Sequence, residues 1–380
     1  MTTKAVSTAD SMSPCAPQSL VRATLELEDG TTYEGRSFGA HGSVAGEVVF
    51  NTGMVGYPET LTDASYSGQI LVLTYPLIGN YGVPECVGAA AEPGAIGEHF
   101  ESDRIHVEGL IVADYSLHYS HWDARRSLSQ WLVDHGVPAL TGIDTRALTK
   151  RLRERGTMLG VIRFGDDDIA FRDPNEENLV AGVSIAAPRL YAPDGTARRR
   201  VALLDCGVKH NIIRNLLARG VEVLRVPWDC DLADERFDGL LVSNGPGDPR
   251  MVKTTIDTLA RLLDRGVPTF GICMGHQLLA RAIGADTYKL KYGHRSQNQP
   301  VLECGTNRCF ITSQNHGYAV DHDTLPREWR PWFVNLNDET SEGLRHAWAP
   351  YRSVQFHPEA APGPVDTGFL FDEFMAMIDR

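Results

Sequence analysis

The chain has 380 residues, a net charge of −13 and 42% hydrophobic residues. At roughly 100–200 residues per domain, this is a two-domain length. The acidic balance argues against a nucleic-acid binder, which presents a basic face to phosphates, and no run reaches the roughly 18–20 consecutive apolar residues of a membrane span. Seven cysteines with no CxxC spacing argue against a disulfide framework or a structural zinc site and favour a reducing compartment, so a cytoplasmic location is expected.

Residues 1–20 are rich in Ser, Thr, Ala and Pro. They lack the apolar core of a secretory signal and the arginines of an organelle presequence, and are expected to form a disordered tail. A hairpin follows: residues 21–28 alternate apolar and polar, Asp29-Gly30 turns, and Thr31–Tyr33 returns. Strands are predicted at Glu47–Asn51, Gln69–Thr74 and Gly109–Val112, and helices at Trp122–Asp134 and Thr145–Arg155. Without regular alternation, residues 21–195 read as a smaller mixed α/β or α+β domain. Residues 165–200 turn acidic, then Pro- and Gly-rich, and end in three arginines. The domain boundary is placed there, near 195–200.

Residues 196–380 have a clear rhythm. Strands are predicted at 201–205, 221–226, 238–243 and 267–272, and helices at 209–219, 252–265 and 275–283. Short apolar strands alternating with helices predict βαβ units and a mostly parallel sheet. The chemistry of such sheets sits at the carboxyl ends of the strands.

The sharpest motif is Gly271-Ile272-Cys273-Met274-Gly275. It ends a strand and opens a helix, the setting of a nucleophile elbow with Cys in place of Ser. The glycines are expected to allow a sharp bend that leaves the cysteine side chain exposed at the sheet edge, and the helix N-terminus favours a thiolate. The bland alternative is a buried structural cysteine. A cysteine nucleophile wants a histidine held by a third group. His357-Pro358-Glu359, after a strand-like run, fits an acid/base and its orienting carboxylate; an exposed His-Pro turn is the alternative. His276 is the rival base, but on the helix just past the elbow its ring should point away from the sulfur. The loop Ser243-Asn244-Gly245-Pro246-Gly247-Asp248-Pro249 is fixed by two glycines and two prolines. It offers backbone N–H groups of the kind an oxyanion needs. It is not a phosphate-binding loop, since no G-x-x-x-x-G-K occurs.

Together, GICMGHQ (271–277), SNGPGDP (243–249), SQNHGYAV (313–320) and QFHPEA (355–360) resemble a class I, triad-type glutamine amidotransferase. Residues 46–82 and 142–156 resemble the amino-terminal domain of the small, glutaminase subunit of carbamoyl phosphate synthetase, in wording closest to the eukaryotic pyrimidine-pathway type. The resemblance runs from about residue 22 to 378. It implies Cys273 as nucleophile, His357 as base and Glu359 as its partner. It implies oxyanion donors at the backbone N–H groups of Gly245 and Met274. It also implies that Ser65, Gly247, Gln277, Asn315, Gly317 and Tyr318 hold glutamine, so that the site is shared between the domains. No metal or cofactor is expected in this chain. ATP and magnesium are expected on a synthetase large chain, the implied partner and recipient of the ammonia. Two departures stand out: Tyr318 replaces a common Phe, and residues 83–103 fit the pattern poorly. The alternatives are an amidotransferase subunit of another pathway, which would not use the first domain, a cysteine hydrolase, and a catalytically idle regulatory subunit.

Overall fold

A computed structural model describes residues 21–85 and 96–380. The expected tail at 1–20 and much of the poorly matching stretch 83–103 lie outside the described residues. In chain order the first half contains β1 (Arg22–Leu27), β2 (Thr32–Ser37), β3 (Val44–Asn51), α1 (Tyr57–Leu61), β4 (Gln69–Ile78), β5 (Val83–Pro84), β6 (Gly109–Tyr115), β7 (Ala124–Arg126), α2 (Leu128–Asp134), β8 (Ala139–Thr141), α3 (Thr145–Arg155) and β9 (Met158–Phe164).

Seven of these strands close a barrel in the order β1-β2-β8-β6-β4-β3-β9. The run β3-β4-β6-β8 is parallel, and the remaining pairings are antiparallel. Alternation along each strand serves two cores. Val48, Ile70, Val72 and Ile111 join one apolar cluster, while Val49, Leu71, Leu73, Leu110 and Val112 join another with α1 and α2. The helix expected from Trp122 begins instead at Leu128. Ser127 caps it, its hydroxyl accepting the Gln130 N–H at 3.1 Å, which satisfies one of the orphan donors of the first turn. Residues 124–126 pair with Val83 and Pro84.

The second half contains α4 (Leu179–Val183), β10 (Arg189–Tyr191), β11 (Arg199–Asp205), α5 (His210–Ala218), β12 (Val221–Pro227), β13 (Gly239–Val242), α6 (Lys253–Asp264), β14 (Thr269–Ile272), α7 (Met274–Ala282), β15 (Asp286–Glu303), β16 (Cys309–Asp321), β17 (Trp329–Asn335), β18 (Ser341–His346), β19 (Tyr351–Val354) and α8 (Phe369–Ile378). One ten-stranded sheet runs β10-β12-β11-β13-β14-β19-β18-β17-β15-β16. Its edge strand β10 precedes the boundary expected near 195–200. The five strands from β12 to β19 are parallel, as the βαβ rhythm predicted. The sheet as a whole is mixed rather than mostly parallel, because β18, β17, β15 and β16 extend it antiparallel. Those strands follow one another with no α-helix between them, only a single 3-10 turn at His322–Thr324, so no crossover enforces a parallel course.

The parallel strands are covered on both faces. Val201 and Leu203 pack with α5 and α8, whereas Ala202 and Leu204 pack with α6 and α7. The carboxyl ends of β13, β14 and β19 therefore emerge side by side, and the barrel closes over them.

Candidate active site

Cys273 joins β14 to α7. It is the N-cap of that helix and holds φ 53°, ψ −102°, a left-handed conformation that stores roughly 1–3 kcal/mol in a non-glycine residue. The flanking glycines serve a different purpose from the one expected. Neither takes a positive φ. A Cβ on Gly275 would lie 2.1 Å from the Val242 carbonyl oxygen, and one on Gly271 would lie 2.5 Å from the Gly275 carbonyl oxygen. The glycines let helix and strands approach closely, and the bend falls on the cysteine itself. The side chain expected to stand exposed is buried instead, at 2% exposure in the closed site, and its thiol donates to the Asn315 carbonyl at 3.6 Å.

His357 lies just past the end of β19, the strand beside β14. Its Nδ1 donates to Glu359 Oε1 at 2.6 Å, and Nε2 is buried without a hydrogen-bond partner. Burial opposes the charged ring, but the Glu359 carboxylate and the Cys273 sulfur outweigh it and push the His357 pKa up. Glu359 is in turn faced by Lys209, whose Nζ lies 3.3 Å from Oε1 and donates to the Ala360 carbonyl. Burial would raise the Glu359 pKa; His357 and Lys209 reverse that and hold it low. The rival His276 is turned away: its Nδ1 meets Ser353 Oγ at 2.9 Å, and burial drives its pKa to about 3.

One cavity gathers Cys273 with Ser65, Gly245, Gly247, Gln277, Asn315, Gly317 and Tyr318. Met274 does not line it; its side chain is buried against β13, and as the first residue of α7 it offers only an N–H free of helical bonding. Gln277 donates to the Tyr318 carbonyl at 2.9 Å and to Gln355 Oε1 at 3.0 Å, leaving its own oxygen free to accept. The Tyr318 hydroxyl meets Asn175 at 3.2 Å.

The sequence reading missed the residue that ties the two domains together here. Asp63 accepts from Ser65 N–H at 2.9 Å, from Asn244 at 3.3 Å and from Asn315 at 3.1 Å. One barrel carboxylate thus fixes Ser65, the loop that carries Gly245, and the residue that accepts the thiol. Glu47, Lys289 and Arg295 also line the cavity, with Lys289 2.6 Å from Glu47. No motif marks any of them; Asp63, Glu47 and Arg295 are isolated polar residues made significant by burial, and the exposed Lys289 by its pairing with Glu47. Glu101, within the poorly matching stretch, makes a second stitch, accepting from Arg214 at 3.0 Å and from the Asn211 N–H at 3.0 Å.

Among the described residues one group, His294, His316 and Glu342, is close enough to gather around a metal ion. Its atoms are largely engaged already: His294 with Asp338 at 2.8 Å, Glu342 with Asn335 at 2.9 Å, and His316 with the Tyr318 carbonyl and Gln314. It reads as a hydrogen-bonded brace behind Tyr318.

Residues 202–377 match the family model for glutamine amidotransferase class-I, and residues 25–162 match that for carbamoyl-phosphate synthase small chain, CPSase domain. The carbamoyl phosphate synthase arginine-specific small chain of Saccharomyces cerevisiae is 52% identical over 368 residues, covering 94% of this chain and 89% of that protein. This chain belongs to the carbamoyl phosphate synthase small-chain family. Within that family it is equally similar to longer proteins. The multifunctional protein pyrABCN of Emericella nidulans is 52% identical over 386 residues, which cover 93% of this chain and 17% of that protein. The chain thus spans about a sixth of the length of such multifunctional relatives.

Proposed function

We propose that this chain is the glutaminase component of a carbamoyl phosphate synthase, and that Cys273, His357 and Glu359 carry out the hydrolysis. The observation that carries the reading is the seating of Cys273 at the N-terminus of α7, beside a His357 ring whose Nδ1 is fixed by Glu359, in one cavity with Ser65, Gln277 and Asn315. The membership of the small-chain family supports it. The helix N-terminus favours negative charge on sulfur, and a histidine with a raised pKa suits the role of proton donor.

In this mechanism the Cys273 thiolate attacks the side-chain amide carbon of glutamine. The oxyanion is received by the N–H groups of Gly245 and Met274. His357 protonates the departing nitrogen, ammonia leaves, and a glutamyl thioester remains. Water, deprotonated by the same ring, hydrolyses the thioester to glutamate and frees the cysteine. Ammonia released into bulk water would be lost, so we propose a synthetase large chain as the recipient. That partner would bring the ATP and magnesium chemistry; this chain would need neither.

The test is an acid quench during turnover of carbon-labelled glutamine. The label should be retained on the peptide containing Cys273 and be absent in Cys273→Ala. Label found on a different peptide, or none during confirmed turnover, rules out the thioester.

A further inference from the structure

A second cavity, of about 590 Å³, lies on the amidotransferase sheet away from Cys273. Its wall carries a row of like charge. Arg330 on β17 is paired directly with Arg345 on β18, and Arg345 with Arg352 on β19. Directly opposed residues share a face of the sheet, and like charges so placed repel. Arg352 is held, by Glu373 and by stacking 4.9 Å from the Trp332 ring centre. Among the described residues no carboxylate lies within ion-pair distance of Arg330 or Arg345. Two guanidinium groups that face no carboxylate among the described residues, set beside a third on a chain of net charge −13, are an arrangement that folding alone does not favour.

Beside the row stands Trp348, 75% exposed. Its loop is not loose: His346 Nδ1 accepts from the backbone N–H of Ala349 at 2.9 Å and of Trp348 at 3.4 Å. The indole is thus presented to solvent from a fixed turn. Arginine forks match phosphate oxygens, and an exposed indole offers a stacking face to a base. The volume lies within the usual range for small-molecule pockets. We propose that this cavity binds a nucleoside polyphosphate, with Arg330, Arg345 and Arg352 on the phosphates and Trp348 against the base. The site uses side chains alone, which is why a search for a glycine-rich phosphate loop passes over it.

It is separate from the active site. It lies at the amino ends of β14 and β19, where Thr269 N–H meets the Pro350 carbonyl at 2.9 Å. Cys273 and His357 sit past the carboxyl ends of the same two strands. Arg352 lies within β19 and His357 three residues past its end, a span of at most roughly 17 Å at about 3.3 Å per residue.

The test is calorimetric titration of the full chain with ATP and, separately, with inorganic triphosphate, in wild type, Arg345→Gln, Arg330→Gln and Trp348→Ala. Circular dichroism and glutaminase rate serve as checks that the variants fold. ATP should bind at one site and more tightly than triphosphate. Either arginine change should weaken both ligands about tenfold, and Trp348→Ala should bring ATP down to the level of triphosphate. Absence of saturable binding overturns the proposal, as does binding that both arginine variants leave intact. Triphosphate binding as tightly as ATP, with Trp348→Ala silent, overturns the nucleoside part and assigns the cavity to free polyphosphate. Binding of a poly-glutamate peptide but not of ATP overturns it in favour of an acidic polypeptide.

Discussion

Lys209 makes the sharpest prediction because it does no chemistry in the proposed mechanism. Lys209 and Glu359 are 3% and 0% exposed, with Nζ 3.3 Å from Oε1. Replacing the lysine by methionine keeps the apolar stem and removes the charge. Glu359 would then be a buried carboxylate with only His357 to balance it, and its Oε2 already lacks a partner. Removing one member of a buried pair costs about 3–5 kcal/mol. The pH dependence follows from the directions of the shifts. Glu359 titrates below its ordinary range, since His357 and Lys209 outweigh burial. Its contribution to stability is therefore full above the unfolded carboxylate range and is lost as pH falls through the folded value. Lys209 titrates above its ordinary range because Glu359, Glu101 and Asp63 outweigh burial. Its contribution is full below the unfolded lysine value and is lost only as pH rises through the folded one. Without Lys209 the folded pKa of Glu359 rises, so both stability and the acid limb of kcat/KM should fail at higher pH than in wild type. Urea unfolding at pH 7 and a pH–rate profile measure the two effects. Lys209→Met combined with Glu359→Gln should recover part of the stability and none of the activity. A single variant within about 0.5 kcal/mol of wild type, with an unmoved acid limb, refutes the argument.

Other predictions follow from the same geometry. Asp63→Ala should raise KM for glutamine more than it lowers kcat, because it releases Ser65 and Asn315 together; steady-state kinetics decide, and an unchanged KM contradicts the role. Cys273→Gly should be more stable than Cys273→Ala by about 1 kcal/mol, since only glycine relaxes the left-handed backbone; thermal unfolding of the two inactive proteins compares them. Tyr318→Phe should change kcat/KM less than about threefold, because the substitution removes one hydroxyl contact of modest worth and leaves the backbone carbonyl that holds Gln277 in place.

What the sequence revealed depended on how local each signal was. The βαβ rhythm from Val201, the elbow at Cys273 and the His357-Pro358-Glu359 run are contiguous strings whose chemistry is carried by adjacent residues. The barrel was not legible in the same way: β3, β4, β6 and β8 pair in parallel across intervening chain, and no hairpin turn announces such pairing. The antiparallel extension β17–β18 was missed for want of a strong alternation. Asp63, Lys209, Glu47 and Arg295 were invisible as site residues, since each is an ordinary polar residue until the fold removes it from water. The expected role of Gly271 and Gly275 was wrong in mechanism: the demand is for close approach, and the strained residue is Cys273.

Glutamate release from glutamine decides whether Cys273 is the nucleophile, with wild type and Cys273→Ser measured side by side, alone and with a carbamoyl phosphate synthetase large chain. Wild type should release glutamate, faster with the large chain, and the variant should release none. Equal release by both proteins would contradict Cys273 as the nucleophile.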